Sequence, residues 1–365
     1  MSNLKDYFQA DKTPVLFIDG SKVRQNCRNF KRSFPSATFF YSVKANSSPN
    51  VLKLIFDQGF GFDVASVEEI KQLLSFGVPA ERIVFSAPTK IPSHIEYAFR
   101  NGIRVFSFDS DIEIEKIARL APGSNLIGRI GVNNKGSEWP LVGKFGIPDS
   151  DIVRLYKFAL EKGLTPAGVS FHVGSQNKSP QAWSSALDKM SRVVKELKES
   201  SIRINIINIG GGFPVEYVEE VPDLSEYSKE INKSFESLFG YEEFSLYIEP
   251  GRSVVGNTGY LVVEVINRSY RDGENWLYID VGAYHGLQET LEGFKYKVAH
   301  QMGDDKCVEY TIAGASCDST DSFMKGTLLP ESLGLGDRLI FLNTGAYTTS
   351  YEYYNGLRFP ETVVS

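Results

Sequence analysis

Cysteine and histidine are scarce in this chain, three of the one and four of the other in 365 residues. Cys27, Cys307 and Cys317 form no CxxC pair and are odd in number. That excludes a full disulfide framework and fits a reducing compartment. So few thiols and imidazoles leave little material for a metal cage, and none is expected. Long apolar runs are missing as well. Near-apolar stretches such as Tyr260–Ile266 have strand length, far short of the roughly 20 residues a membrane span needs. The opening MSNLKDYFQADKTP lacks the basic start and apolar core of a signal peptide. An excess of basic residues is absent too: a net charge of −6 and a pI near 5.5 argue against the cationic face of a nucleic-acid binder. What remains is a cytoplasmic globular protein, 42% hydrophobic and 23% charged, long enough for one large domain and a smaller one.

Short β-rich runs alternate with segments of helical period. The runs are Thr38–Val43, Gly61–Ala65, Arg82–Ala87, Arg104–Asp109, Asn125–Val132, Ala167–Val173, Asn205–Ile209 and Phe244–Ile248. Between them, VEEIKQLLSFG puts Val67, Ile70, Leu73 and Leu74 on one face and stops at Gly77. PDSDIVRLYKFALEKG and SALDKMSRVVKELKES repeat the pattern. Eight strands separated by helices predict an α/β chain folded as a TIM-type (β/α)8 barrel, with an open doubly wound sheet as the rival. After Glu249 the helical period fades, and β-branched and aromatic runs broken by Gly, Asn and Asp predict a C-terminal antiparallel β domain. The expected division is a barrel over residues 21–248 and a β domain from residues 1–20 plus 249–365. The run Pro14–Gly20 is a candidate strand for that second domain.

The active site of such a barrel lies at the C-terminal ends of its strands. There the sequence places Lys44, Asp63, Arg129, His172 with Ser175, the triplet Gly210, Gly211 and Gly212, and Glu249 with Gly251 and Arg252. Lys44 follows an apolar strand, and burial disfavours its ammonium, which suits an imine former; a solvent-reaching strand-end lysine is the plainer alternative. Three glycines offer backbone N–H groups to a phosphate, or make a flexible turn. Their position after strand seven, with Arg252 after strand eight, matches the usual phosphate site of this barrel. His172 is either a satisfied structural imidazole or a ring lying flat on an aromatic cofactor. Glu249 is either a buried ion-pair partner or the group that holds a protonated pyridine nitrogen.

The motifs YSVKAN, FDVASVEEI, KFG, SFHVGSQ, INIGGGFP, EPGR, GASCDSTD and GAYT occur in that order along nearly the whole chain. In this the chain resembles the fold-type III pyridoxal-phosphate decarboxylases, the group of ornithine, lysine and diaminopimelate decarboxylases, with the bacterial lysine/ornithine enzymes nearest. The resemblance implies pyridoxal 5′-phosphate (PLP) carried by Lys44, with His172 stacked on its ring and Glu249 on its pyridine nitrogen. Ser175, Gly210–Gly212, Gly251, Arg252 and Tyr347 would hold the phosphate. Asp63, Glu69 and Arg129 match positions that support the cofactor and its lysine. Cys317 and Asp318 match a pair that reaches across a homodimer interface into the partner's site, Cys317 as the proton donor after carbon dioxide leaves. An alanine-racemase-type enzyme shares the architecture but uses a tyrosine as second base, and the CDSTD motif speaks against it. A non-catalytic descendant would have lost cofactor residues that are all present here.

For the substrate, the family's diaminopimelate enzymes typically carry a glutamate after the cysteine; Asp318 favours a distal cation instead. Eukaryotic ornithine decarboxylases have a further aspartate where this chain has Gly293. Glu289 or Glu292 is the candidate to replace it, against the plainer reading of an exposed acidic turn, and Tyr284 and Asp318 are the other expected substrate contacts. The expectation is a basic L-amino acid, ornithine or lysine, converted to putrescine or cadaverine. A modified or carrier-bound amino acid is the runner-up.

Overall fold

The structure, a computed structural model, describes residues 4–141, 143–241, 243–303, 306–350, 353–354, 357–358 and 360–365. Eight parallel strands form the barrel: β1 (Ala37–Ser42), β2 (Gly61–Asp63), β3 (Ile83–Val84), β4 (Val105–Phe108), β5 (Asn125–Arg129), β6 (Thr165–Ser170), β7 (Ile206–Asn208) and β8 (Ser245–Ile248). Ladders run continuously from β4 through β8 to β1, β2 and β3. A bridge between Phe85 and Phe106 joins β3 to β4, through Phe85 N–H to Val105 O (3.0 Å) and Ser107 N–H to Phe85 O (3.0 Å). That bridge closes the ring. All eight sequence-read runs fall on these strands.

The helices begin where side chains meet the free N–H groups of a first turn. Asp19 accepts from the Ser21 and Lys22 amides ahead of Gly20–Ser33. Asp223 and Glu226 form a capping box ahead of Leu224–Leu238. Ser66 accepts from the Glu69 amide ahead of Val67–Ser75. Glu69 then reaches back to the Ala65 N–H at 2.6 Å. The helices lay apolar stripes on the barrel: Ile70 and Leu73 of the Val67–Ser75 helix, and Trp183, Leu187 and Met190 of the Gln181–Glu199 helix, are buried in one continuous core with Phe39, Tyr41 and Phe62 from β1 and β2.

The second sheet is built around the long strand Gly259–Arg271, which pairs antiparallel with Val15–Ile18, Arg338–Leu342 and Glu274–Ile279. The N-terminal run thus belongs to this sheet. The sheet is mixed rather than antiparallel throughout. Glu274–Ile279 runs parallel to Cys307–Ala313, and Val15–Ile18 parallel to Glu361–Val364. A parallel neighbour needs a crossover instead of a hairpin, and the segment between Ile279 and Cys307 supplies one. Two short 3₁₀ turns of that crossover, Ala283–His285 and Gln288–Glu292, carry Tyr284, Glu289 and Glu292. Among the described residues no helix is long and apolar enough to cross a membrane.

Candidate active site

The strand ends converge on Lys44, which sits in the 3₁₀ turn Val43–Ala45 directly after β1. Its side chain rises into the open mouth and stays in reach of solvent, although protein atoms surround the amine. Burial alone would lower its pKa, but Asp63, Tyr347 and Glu249 outweigh burial and the Arg129 charge, so the pKa lies above the ordinary lysine value. This corrects the expectation that burial depresses the ammonium: two carboxylates share the mouth with it.

Both carboxylates are held by hydroxyls from neighbouring strand ends. Ser42 Oγ donates to Asp63 Oδ2 at 2.8 Å. Ser86 Oγ and Asn208 Nδ2 both donate to Glu249 Oε1, at 2.6 and 2.7 Å. Oε1 is thereby saturated, and Oε2 is left for a ligand. Burial, with Asp63 nearby, pushes the Glu249 carboxyl up to about 7; burial likewise takes Glu69 to about 7.

His172 accepts the Gly174 N–H on Nδ1 at 3.0 Å. That bond puts the proton of a neutral ring on Nε2. Burial and the Arg129 and Lys44 charges keep its pKa well below the usual imidazole value, so the ring stays neutral. A cavity of about 660 Å³ opens over His172 and Arg129, walled by Ile130, Asn134, Phe145, Ile147 and Lys189 among others.

At the β7 and β8 ends lies a donor-rich corner. A Cβ at Gly210, Gly211 or Gly212 would stand 2.4–2.5 Å from the carbonyl oxygens of Phe171, Glu249 and Gly174. Glycine is therefore required so that adjacent strand ends can pack against this loop, a stronger constraint than ligand approach. The Gly210 N–H is taken by Asn208 Oδ1 (2.8 Å), while the Gly211 and Gly212 N–H groups donate to no acceptor among the described residues. Arg252 is buried beside them, its Nε and Nη2 donating to Ser175 Oγ at 3.4 and 3.2 Å. Tyr347, in the left-handed region at φ 59°, ties its N–H to Ala45 O at 2.7 Å and lays its ring 4.7 Å from the Arg252 guanidinium. Gly251 packs against Ala45 and Ser42, which a Cβ would meet at 3.1 and 3.2 Å.

The remaining candidates part company. Glu289 is buried and forms a two-pronged ion pair with Arg252, at 2.8 and 2.5 Å, which engages the carboxylate that was expected to meet a substrate's distal ammonium. Glu292 is exposed, on a surface cleft with Glu138, Lys178 and Glu219. Cys317 is exposed on the turn between the strands Cys307–Ala313 and Ser322–Pro330. Asp318 Oδ1 accepts from the Thr320 amide and hydroxyl at 2.9 and 2.7 Å, and the same hydroxyl meets Tyr284 Oη. Asp321, missed in the sequence, anchors this turn: its Oδ1 accepts the Ala283 N–H (2.8 Å) and its Oδ2 the Ser316 hydroxyl (2.6 Å). Ser42, Ser86 and Asn208 were missed too. Their only signal is a polar residue at or just past the end of an apolar strand.

A family model described as the pyridoxal-dependent decarboxylase, pyridoxal binding domain, matches residues 20–256, more than half of the chain. The chain belongs to the pyridoxal-dependent decarboxylase family. A lysine/ornithine decarboxylase of Selenomonas ruminantium is 33% identical over 354 residues, covering 96% of this chain and 89% of that one. The solved lysine/ornithine decarboxylase of Vibrio vulnificus, complexed with putrescine, superposes with a TM-score of 0.90 at 27% identity, covering 99% and 97% of the two chains. The arginine decarboxylase of Paramecium bursaria Chlorella virus, bound to agmatine, superposes at 0.93 with 27% identity, covering 99% of each. PLP is the cofactor of this family, and the donor set fits it. Two free backbone N–H groups, a serine hydroxyl and a guanidinium edge suit a phosphate. The open Oε2 of Glu249 suits a protonated pyridine nitrogen, and the Lys44 amine suits an aldehyde.

Proposed function

We propose that this chain decarboxylates a basic L-amino acid with a terminal amine, ornithine or lysine, and releases putrescine or cadaverine. The observation that carries the reading is the mouth itself: a lysine amine, a neutral imidazole and a half-engaged carboxylate beside a phosphate-type donor corner. The division into a barrel over residues 21–248 and a second domain from the remaining segments is part of the same reading, as is a cytoplasmic setting, for which the odd count of three cysteines with no CxxC pair speaks.

In this reading Lys44 would bind the cofactor, His172 would support its ring, and Ser175, Gly211, Gly212, Arg252 and Tyr347 would hold its phosphate. Bound there, PLP supplies the electron sink that accepts the pair released as the substrate carboxylate departs. Glu249, steadied on Oε1 by Ser86 and Asn208, would offer Oε2 to the pyridine nitrogen and favour its protonated form. Asp63, fixed by the Ser42 hydroxyl, acts on the Lys44 amine through its charge, and Arg129 balances the carboxylates. Cys317 and Asp318 serve the site of a second copy: Cys317 returns a proton to the substrate's α-carbon, and Asp318, positioned through Thr320 and Tyr284, faces the distal ammonium.

The test is carbon dioxide release by the PLP-loaded protein from ornithine, lysine, arginine and meso-diaminopimelate in parallel. Rapid release from ornithine or lysine is the expected result. Preference for meso-diaminopimelate, or silence on all four with PLP visibly bound, sinks the substrate assignment.

A further inference from the structure

All five donors of Arg252 are engaged within the chain. Its Nη1 hydrogens go to Tyr217 Oη (3.0 Å) and Glu289 Oε2 (2.8 Å). Its Nη2 hydrogens go to Glu289 Oε1 (2.5 Å) and Ser175 Oγ (3.2 Å). Its Nε leans on the same serine (3.4 Å). The Arg252 side chain is 4% exposed and the Glu289 side chain 10%. The rings of Trp139, Tyr217, Phe294 and Tyr347 surround the pair at 4.7–5.7 Å from the guanidinium carbon. Arg252, the cation that the described residues bring to the phosphate corner, is therefore already neutralised, in a low-dielectric shell, by a carboxylate of the chain itself.

We propose that Glu289 is an internal counter-anion that offsets the Arg252 charge on which the cofactor's phosphate would draw, and so sets how tightly the chain holds PLP. The inference rests on the reading above that the phosphate lies at Arg252 and Ser175. Without a phosphate, removing Glu289 leaves a buried guanidinium unpaired, which is strongly unfavourable. With a phosphate bound, the guanidinium meets two anionic partners at once, and the carboxylate and phosphate repel each other across it. Glu289 therefore stabilises the empty protein more than the loaded one. A group that favours the empty state lowers ligand affinity by its differential stabilisation. The Nε and Nη2 edge is the one that turns toward Ser175, so a phosphate draws on Arg252 from that side while Glu289 keeps the fork end.

Three roles for Glu289 separate cleanly. A residue that recognises the distal ammonium changes substrate preference and leaves cofactor affinity alone. A purely structural ion pair stabilises empty and loaded protein equally. A counter-anion does neither. The test compares Glu289→Gln, and Glu289→Asp as a milder variant that retracts the carboxylate by one methylene, with the unaltered protein. The dissociation constants of PLP and of pyridoxal, which lacks the phosphate, are read from the visible absorbance. Melting temperatures are measured with and without PLP, and in graded inorganic phosphate.

Glu289→Gln is expected to bind PLP about ten-fold or more tightly, with pyridoxal unchanged. It should lose melting temperature when empty and recover it when loaded, and respond to inorganic phosphate at lower concentration. Glu289→Asp should fall between. If Glu289→Gln folds only in the presence of PLP or phosphate, that too supports the proposal, and Glu289→Asp supplies the dissociation constants. Unchanged or weaker PLP binding in both variants overturns it, as does an equal gain for pyridoxal. Failure of the unaltered protein to bind PLP at all would instead bring down the reading of the site on which this one stands.

Discussion

The barrel mouth and the Gly314–Asp321 turn carry the two halves of the expected chemistry and are built differently. In the mouth each carboxylate is buried and held by named donors, Asp63 by Ser42 and Glu249 by Ser86 and Asn208. On the turn, Asp321 is buried and anchors the backbone, but Cys317 is exposed and Asp318 engages its neighbour Thr320. A preorganised cofactor site has to be complete before the ligand arrives, because fixed dipoles do their work without reorganising. The turn is hydrogen-bonded at its base and exposed at its tip. That is the form expected of a group delivered to a site on another copy.

The largest effect separating the two regions is expected at Lys44. Lys44→Ala should cut decarboxylation by at least about 10³-fold, a barrier change of roughly 4 kcal/mol, and abolish the adduct trapped by borohydride. An adduct that persists on another lysine would break the assignment of the mouth. Cys317→Ala should also be inactive or nearly so, yet keep the Lys44 adduct. Mixing the two inactive proteins then tests the turn: random subunit exchange gives about a quarter of the parent activity, since half of the dimers carry one intact site of two. No recovery despite verified exchange would place Cys317 in its own chain's chemistry or in none.

The same contrast governs what was legible in the sequence. The eight strands were readable because apolar runs separated by amphipathic segments are a periodic signal. The residues at their ends were readable because a lysine, a histidine and a glutamate each closed such a run. The mixed second sheet was not readable, since the parallel pairing of Glu274–Ile279 with Cys307–Ala313 depends on a crossover whose length alone gives no direction. Nor could composition decide which of Glu289 and Glu292 turns inward. Three residues apart on one short turn, one is buried against Arg252 and the other faces solvent, and only the tertiary position of Arg252 separates them. Ser86 and Asn208 escaped notice because a lone polar residue near a strand end carries no pattern.

A smaller effect is expected in the pH dependence of stability, where the mouth differs from any exposed turn. The Glu249 carboxyl is raised to about 7 in the fold, against roughly 4.3 for an unperturbed glutamate. Between those values the folded chain holds a proton that the unfolded chain has lost, so stability falls as pH rises through the window. His172 acts in the opposite sense: its depressed pKa makes acid destabilising below about 6.5, where the unfolded imidazole takes up a proton. The difference between the unaltered protein and Glu249→Gln isolates the glutamate. That difference should change by on the order of 3 kcal/mol between pH 4.5 and 8 in the empty protein. With PLP bound it should shrink, because a pyridinium partner favours the carboxylate. Equal slopes with and without PLP would separate Glu249 from the cofactor.

The smallest expected effect is the sharpest on geometry. Ser86→Ala removes one of the two donors to Glu249 Oε1 and leaves Asn208 alone to hold it. Losing one hydrogen bond to a buried carboxylate costs about 1–3 kcal/mol, and part of that loss should appear as weaker PLP binding, since the carboxylate's free oxygen is no longer aimed. The matched control is Ser110→Ala just past the end of β4, which removes the cap that accepts the Glu113 amide at 3.4 Å and has no hydrogen bond to Glu249 among the described residues. It should cost about 1 kcal/mol of stability with the PLP dissociation constant unchanged. If both serines weaken PLP alike, Ser86 acts only through stability, and Glu249 needs no second donor to face the cofactor. If Ser86→Ala alone does so, the hydroxyl aims the carboxylate, and the mouth earns its preorganisation from residues that bear no charge.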